Sequence, residues 1–253
     1  MLRSKESRVF HDTAGYFDFS PRDFATDIRA VMASTLERLG INVEMTHHEC
    51  APSQHEIDIE YSDALKTADK VMILKQAIKT VANNAGLHAT FMPKPIFGVN
   101  GSGMHTHQSL FSEDGENLFY DEKDKYKLSS LAYHFLGGQL KYIREIAAVV
   151  CPTVNSYKRL VRGYEAPVYI CWGQRNRSAL IRVPRYSEGR EKSTRLELRC
   201  PDPSCNPYLA FAVMLAAGLR GIEEEIKPPA PVEEDVYGFD DRKLAKFYIK
   251  TLP

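Results

Sequence analysis

The chain has 253 residues, of which 43% are hydrophobic, and its 33 Lys and Arg residues balance its 33 Asp and Glu residues. This length and composition suffice to bury the core of one large globular domain. The zero net charge argues against attraction of the whole surface to nucleic acid or anionic lipid, and no run approaches the roughly 18 apolar residues of a membrane span. The first residues lack the apolar core of a signal peptide, so we expect a cytoplasmic protein without membrane or nucleic-acid partners.

The first predicted element is a helix over residues 20–40. Ser20 is placed as its N-cap, Pro21 in its first turn and Asp23 in a capping box, and Gly40 follows its end. The five cysteines lack zinc-type spacing and are expected to be buried free thiols.

Alternation of apolar and polar residues predicts an antiparallel pair of strands over 41–46 and 55–61. A second helix is predicted over 62–84, with Gly86 past its end. Residues 87–111 read as two strands interrupted by a segment rich in proline and glycine.

The second half predicts two long helices and several short strands. One helix is expected over about 127–149, and strands near 167–172, 178–183 and 194–199. Asn206 is placed as the cap of a helix that is apolar nearly all round at first and is therefore expected to be buried.

The order of these elements indicates an α+β fold. Strands in runs, without regular βαβ alternation, favour a mostly antiparallel sheet flanked by helices. Residues 1–226 are interpreted as the main domain. Residues 227–253 are interpreted as a proline-rich linker followed by a short amphipathic segment.

The stretch GVNGSGMHTHQSL combines glycines with two histidines one residue apart. On a strand, His105 and His107 share a face about 7 Å apart, and Gly101 and Gly103 let the backbone approach a ligand. Taken alone, the pattern also fits a turn that leads into a strand with surface histidines.

Charge is strongly segregated along the chain. Residues 44–60 hold five carboxylates and no Lys or Arg, and Glu49 and Glu56 flank the predicted turn. Two close carboxylates raise each other's pKa unless a cation lies between them. The segment therefore fits either a divalent metal site or a solvated acidic hairpin.

Residues 155–199 hold eleven Lys and Arg against four Glu. Arg195, Glu197 and Arg199 share one strand face, which fits either a ligand site or an exposed strand with cross-strand ion pairs. Repeated arginines suit phosphate or carboxylate oxygens. Together with the acidic segment they match the requirements of phosphoryl transfer, although Walker A and GxGxxG motifs are absent from the sequence.

Five segments resemble the catalytic domain of prokaryotic-type (class I) glutamine synthetase: HHECAPSQHEID, FMPKPIFGVNGSGMHTHQSL, NSYKRLVRGYEAP, RNRSALIR and RLELRCPDPSCNPYLAF. They occur in the family's order and cover nearly the whole chain. The resemblance implies a glutamine synthetase/guanido kinase-like fold and the synthesis of L-glutamine from L-glutamate, ammonia and ATP through γ-glutamyl phosphate. It further implies Mg²⁺ or Mn²⁺ as cofactors and a dodecameric homo-oligomer.

The resemblance also implies roles for particular residues. The metal ligands it implies are Glu49, Glu56, His105 and Glu197. The glutamate-binding residues it implies are Arg159, Arg199, Gly101 and Asn100. The residues it places at ATP are His107, Ser109, Arg177 and Arg182. The catalytic residues it implies are Arg177 at the transferring phosphoryl group, Glu165 in the flap that binds ammonium and takes its proton, and Tyr16 near the ammonium site.

The sequence departs from the family's pattern in two respects. Arg162 replaces the usual proline before Glu165, which predicts a looser or more charged flap. The chain also starts after the family's N-terminal β-grasp domain and Glu-x-Glu strand and stops before its terminal helices. We therefore expect a fragment that is inactive or nearly so by itself.

Two other functions stay open at this point. One is a related ligase that uses another amine, such as a γ-glutamyl-polyamine synthetase, and the other is a non-catalytic homologue. Tyr237 lies in a segment, VYGFDD, that loosely resembles the adenylylation site of some members, but we expect an ordinary surface tyrosine there.

Overall fold

The computed structural model describes residues 1–4, 10–247 and 249–253. The chain divides into two compact units, residues 1–102 and residues 103–253. Nine short strands and six α-helices occur in the described part, and the predicted α+β class is confirmed. No helix in these ranges is long and apolar enough to cross a membrane.

The first unit contains two helices and two antiparallel strand pairs. The helices are α1 (Thr26–Arg38) and α2 (Ala64–Asn84). Strand β1 (Leu2–Ser4) pairs with β4 (Leu87–Ala89), and β2 (Val43–His48) pairs with β3 (His55–Ile59). The predicted hairpin is therefore confirmed. Its core includes Met32 from α1, Ile78 and Ala82 from α2, and Leu87 from β4.

The prediction for the start of α1 is wrong. The helix begins at Thr26, and Ser20 and Pro21 lie in turns before it. Asp23 is buried, accepts from the Ala25 N–H at 2.9 Å and pairs with Arg29 at 2.6 Å. Its carboxylate is therefore used by a buried ion pair instead of a capping box. The predicted end is confirmed, since Gly40 follows α1 with a φ of +79°.

The second unit is built around a five-stranded sheet. Its strands are β5 (Thr106–Gln108), β6 (Tyr169–Gly173), β7 (Ala179–Arg182), β8 (Leu196–Leu198) and β9 (Lys250–Thr251). They lie in the order β5-β8-β7-β6-β9, and only the β6–β7 pair is parallel. The helices are α3 (Ser130–Val150), α4 (Val154–Arg159), α5 (Pro207–Glu223) and α6 (Asp241–Lys246).

Helices α3 and α5 approach closely because glycines face each other. A Cβ atom at Gly138 would lie 2.6 Å from the Gly221 Cα. Asn206 caps α5 as predicted, with its side chain accepting from Tyr208 and Leu209. The expectation of a fully buried helix is only half right. One face of α5 packs on α3, and Leu209 is 58% exposed on the other.

The C-terminal segment packs against β6. Asn176 donates to the Val232 carbonyl at 2.8 Å, and the Trp172 indole donates to the Pro229 carbonyl at 2.7 Å. The linker at 227–235 is non-helical, as predicted. All five cysteines are free, and four of them are buried.

Candidate active site

The β2–β3 hairpin of the first unit carries three carboxylates and one histidine that we together call the acidic cluster: His47, Glu49, Glu56 and Asp58. Metal-ligating atoms of His47, Glu49 and Glu56 lie within 4.8 Å of one another. His47 is paired with Glu56 in the strand register, so their side chains share one face of the hairpin. The predicted approach of Glu49 and Glu56 is therefore found in the structure.

Electrostatic repulsion dominates this cluster. Desolvation raises the pKa of Glu56, and the neighbouring carboxylates of Asp58 and Glu49 raise it further, to about 8. The Glu56 side chain is nevertheless 38% exposed, so solvent reaches it. His47 Nε2 lies 3.5 Å from Glu56 Oε2. Carboxylate and imidazole donors with this excess of negative charge fit a divalent cation.

Two members of the acidic cluster were not singled out by sequence reasoning. Asp58 follows Glu56 by two residues, so strand periodicity places both on the same face. His47 joins the cluster because it pairs with Glu56 across the hairpin, and the sequence does not specify this register. The signal for Asp58 was therefore present in the sequence, whereas the signal for His47 was not.

Three further predicted residues lie around the same hairpin. The Gln54 amide donates to the Gly101 carbonyl at 2.8 Å and so ties the turn to the Asn100–Gly101 segment. Tyr16 is 44% exposed, and its ring centroid lies 5.5 Å from that of His47. The first unit thus brings the predicted ammonium-site tyrosine and glutamate-binding backbone to the acidic cluster.

In the second unit, strands β5, β7 and β8 assemble the arginine cluster. Its members are His105, His107, Arg159, Arg182, Glu197 and Arg199. Glu197 on β8 lies opposite both His107 and Arg182 in the register. Arg199 Nη1 lies 2.8 Å from Glu197 Oε1, and His105 Nδ1 lies 3.4 Å from the same oxygen. Arg182 Nε bonds Glu197 Oε2.

The arginines determine the charge state of this cluster. Burial opposes ionisation of Glu197, but Arg199 and Arg182 outweigh it and hold its pKa below the ordinary value. Desolvation and the charges of Arg199 and Arg159 hold the pKa of His105 well below its usual range. Desolvation, with Arg195 and Arg182, lowers the pKa of His107 to about 4. Both imidazoles are therefore neutral near pH 7 and available as acceptors or ligands.

Gly103 has a different role from the one expected. A Cβ atom there would lie 2.4 Å from Arg159 Nη2 and 2.9 Å from His105 Nε2, so this glycine makes room for two side chains of the cluster. Arg159 is buried and donates to the carbonyls of Cys200 at 2.7 Å and Arg199 at 3.0 Å. These bonds fix the guanidinium beside Arg199.

The other predicted residues of the second unit lie in loops. Arg177 is exposed in the β6–β7 turn, Ser109 is half-buried just after β5, and Glu165 is exposed with a left-handed φ of +56°. The Glu165 carbonyl lies 3.5 Å from Arg199 Nη2, the limit of a hydrogen bond. The structure therefore brings the backbone of Glu165 to the arginine cluster.

The loop that carries Glu165 is anchored at two points, one on each side of this residue. The Arg162 guanidinium carbon lies 5.0 Å from the centroid of the Tyr169 ring, a cation–π contact. The Tyr237 hydroxyl donates to the Ala166 carbonyl at 2.5 Å. Tyr237 is half-buried, so the expectation of an ordinary surface tyrosine is wrong.

The sequence profile described as "Glutamine synthetase, catalytic domain" matches residues 2–253. The chain belongs to this family. The glutamine synthetase of Thermotoga maritima is 56% identical over 244 residues, which are 96% of this chain and 55% of that protein. The glutamine synthetase of Methanosarcina mazei is 54% identical over 242 residues, or 96% of this chain and 53% of the relative. The chain therefore spans about half the length of these curated relatives.

Solved structures support the same family. A Plasmodium falciparum glutamine synthetase superimposes with a TM-score of 0.83 at 37% identity, over 88% of this chain and 43% of that chain. A solved GmaS/ADP complex superimposes with a TM-score of 0.88 at 37% identity, over all of this chain and 58% of that one. The expected glutamine synthetase fold is confirmed.

Proposed function

We propose that this chain supplies catalytic-domain residues to a glutamine synthetase that joins ammonia to the γ-carboxylate of L-glutamate at the expense of ATP. The observation that carries the proposal is the acidic cluster, in which Glu56 has a pKa of about 8 beside Glu49 and Asp58. Ionisation of all these neighbouring carboxylates is costly unless a cation binds. Family membership and the similarity to a solved GmaS/ADP complex also support it.

Glu49 and Glu56 would hold one Mg²⁺ or Mn²⁺, and His105 and Glu197 would hold another near the ATP phosphates. When bound, these cations neutralise the carboxylate and phosphate charges that otherwise repel one another. The two sets of metal ligands differ in whether they are already paired with positive charge. Glu197 is already paired with Arg182 and Arg199, so a cation there competes with two guanidinium groups.

The proposed reaction has two displacements. A γ-carboxylate oxygen of glutamate bonds to the γ-phosphorus of ATP, and the bond from that phosphorus to the ADP oxygen breaks. Ammonia nitrogen then bonds to the γ-carbonyl carbon, and phosphate leaves. Arg177 stabilises the transferring phosphoryl group and Arg182 binds the ATP phosphates, while Arg159, Arg199, Asn100 and Gly101 orient glutamate. His107 and Ser109 contact the nucleotide.

Glu165 and Tyr16 are assigned to ammonia. Glu165 takes the proton that ammonium must lose before its nitrogen can attack, and Tyr16 lies at the ammonium site. The flap that carries Glu165 excludes water, which would otherwise hydrolyse the acyl phosphate. The contacts of Arg162 with Tyr169 and of Tyr237 with Ala166 hold the loop that carries Glu165.

The test measures glutamine and phosphate formed by the full-length protein with glutamate, ammonium, ATP and Mg²⁺ or Mn²⁺. We expect one glutamine per phosphate, and little or no activity from the 253-residue chain alone. Replacement of ammonium by alkylamines and polyamines tests the related-ligase alternative. Nucleotide binding without turnover would instead support a non-catalytic homologue, and full activity of the isolated chain would contradict the fragment interpretation.

We further propose a cytoplasmic homo-oligomer, with twelve subunits in the full-length protein. The support is family membership, and the mass from light scattering after size exclusion tests it. The division into a main domain at 1–226 and a C-terminal segment at 227–253 remains a prediction.

A further inference from the structure

The back of the β2–β3 hairpin carries a buried polar network that the proposed reaction does not use. Strand neighbours point to opposite faces, so His48 and His55 lie on the face opposite to His47 and Glu56. Asp12, which is 3% exposed, lies against this back face. Its Oδ1 lies 2.8 Å from His48 Nε2, and its Oδ2 lies 3.9 Å from His55 Nε2. Each carboxylate oxygen thus faces the histidine that immediately precedes one of the two glutamates.

Asp12 also holds the turn of the hairpin. Its Oδ1 accepts from the Ser53 N–H at 2.9 Å, and its own N–H donates to Ser53 Oγ at 2.9 Å. The Ser53 hydroxyl donates to the Asp12 carbonyl at 3.2 Å. Ser53 has a left-handed φ of +57°, which costs energy for a residue with a side chain. Contacts on both its N–H and its hydroxyl stabilise that conformation.

These contacts converge on the backbone of Glu49. His48 Nδ1 donates to the Glu49 carbonyl at 2.6 Å, so the imidazole bridges Asp12 to this carbonyl. The Glu49 N–H donates to the carbonyl of Gln54, the residue after Ser53, at 2.7 Å. The Glu49 carbonyl is therefore fixed by the imidazole that Asp12 contacts, and the Glu49 N–H by the residue that follows Ser53.

We propose that Asp12 is a positioning residue, which sets the placement of Glu49 and Glu56 for a divalent cation from the opposite face of the hairpin. The inference deepens the proposed function and rests on its first metal site. Groups that orient metal ligands from behind typically change metal affinity by about 10- to 100-fold when they are removed.

The geometry argues against a separate metal site made of Asp12, His48 and His55, although their donor atoms lie close together. Both nitrogens of His48 already donate, to Asp12 and to Glu49. His55 Nδ1 lies 2.9 Å from Arg29 Nη1, which places a guanidinium charge where a cation would bind. Arg29 is in turn paired with Asp23, so these contacts tie α1 to the hairpin.

The experiment titrates the full-length protein with Mn²⁺ alone and measures free Mn²⁺ by electron paramagnetic resonance, which requires no turnover. For Asp12→Ala we expect about tenfold weaker binding at one site. Asp12→Asn keeps the shape and an acceptor for Ser53 but loses the charge that faces His48, so we expect a smaller loss. Asp27→Asn, on the exposed face of α1, is the matched control and should bind as the wild type does.

A core substitution separates positioning from general destabilisation. Met32→Ala removes a buried side chain from the core that α1, α2 and β4 share, and it should lower the melting temperature without changing Mn²⁺ affinity. Weaker binding in both Asp12 variants but not in Met32→Ala supports the inference. Wild-type affinity in a folded Asp12 variant overturns it, and so does an equal loss in Met32→Ala. If Asp12→Ala does not fold, Asp12→Asn decides.

The same measurements distinguish the two levels of the proposal. A wild-type protein that neither binds Mn²⁺ nor forms glutamine contradicts the proposed function. A wild-type protein that does both, with unchanged binding in the Asp12 variants, contradicts only the role of Asp12.

Discussion

The acidic cluster and the arginine cluster hold their glutamates in opposite electrostatic states. In the first, Glu56 faces other carboxylates and its pKa rises to about 8. In the second, Glu197 lies between Arg182 and Arg199, and its pKa falls. The first cluster is therefore short of positive charge, whereas the second already has its compensation in the chain. A cation should stabilise the acidic cluster and must compete for Glu197 in the arginine cluster.

The largest expected effect is on stability in the arginine cluster. Glu197→Ala leaves Arg199 buried and both arginines without this carboxylate, so we expect a loss of about 3 to 5 kcal/mol in the free energy of unfolding. Urea denaturation of the metal-free protein measures it. Glu56→Ala is the matched variant in the acidic cluster and should cost much less, since it removes a carboxyl group whose ionisation the neighbouring carboxylates oppose. Equal losses in the two variants would break the comparison.

The second prediction concerns metal affinity. Glu56→Gln keeps the shape of a ligand but removes its charge, and we expect Mn²⁺ binding to weaken on the order of 100-fold, the upper end of the range for groups that only support a ligand. The melting temperature without metal should stay the same or rise at pH 8. Calorimetric titration measures the affinity, with the exposed Glu44→Gln as control. Undiminished binding would mean that the acidic cluster is a solvated hairpin.

The third prediction follows from the raised pKa of Glu56. Its folded-state value of about 8 exceeds the ordinary 4.5, so the folded chain retains a proton that the unfolded chain loses between these values. The contribution of Glu56 to the stability of the metal-free protein is complete below about pH 4.5 and is lost as the pH rises to 8. Mn²⁺ binding between pH 5 and 8 should release this proton, and its affinity should rise with pH.

Titrations in two buffers with different ionisation enthalpies measure the proton release. Glu56→Gln should abolish it. Glu197 has a lowered pKa and is ionised throughout this window, so Glu197→Gln should leave the release unchanged. Loss of the release in both variants would contradict the assignment to the acidic cluster.

Local patterns predicted the elements well but not their burial. Alternation identified the β2–β3 hairpin, and Asn206 and Gly40 marked helix ends, because these signals depend on a few neighbouring residues. The start of α1 was misplaced because the capping pattern at Asp23 competes with a buried ion pair to Arg29. An ion pair of that kind depends on packing, which local sequence does not specify.

The site shows the same limit. The segments with Glu49, Glu56 and Glu197 could be identified from charge and family resemblance. Their charge states could not, because these depend on strand register and on Arg182, which a neighbouring strand supplies. Asp12 was also missed. It is distant in sequence from the hairpin and lies in no motif, and only the folded structure shows its contacts with the turn.

The smallest expected effect tests whether the loop that carries Glu165 is held in place as the arginine cluster is. Tyr237 donates to the Ala166 carbonyl, and burial above all raises its pKa to about 12, so the hydroxyl stays protonated and keeps donating up to high pH. Tyr237→Phe removes this bond and should cost about 1 kcal/mol of stability. Because the bond holds the residue after Glu165, amide exchange should accelerate mainly over residues 162–168. Tyr186→Phe, whose exposed hydroxyl bonds Glu191, is the control and should change neither quantity measurably. Unchanged exchange in Tyr237→Phe would mean that the contact of Arg162 with Tyr169 is sufficient to order this loop.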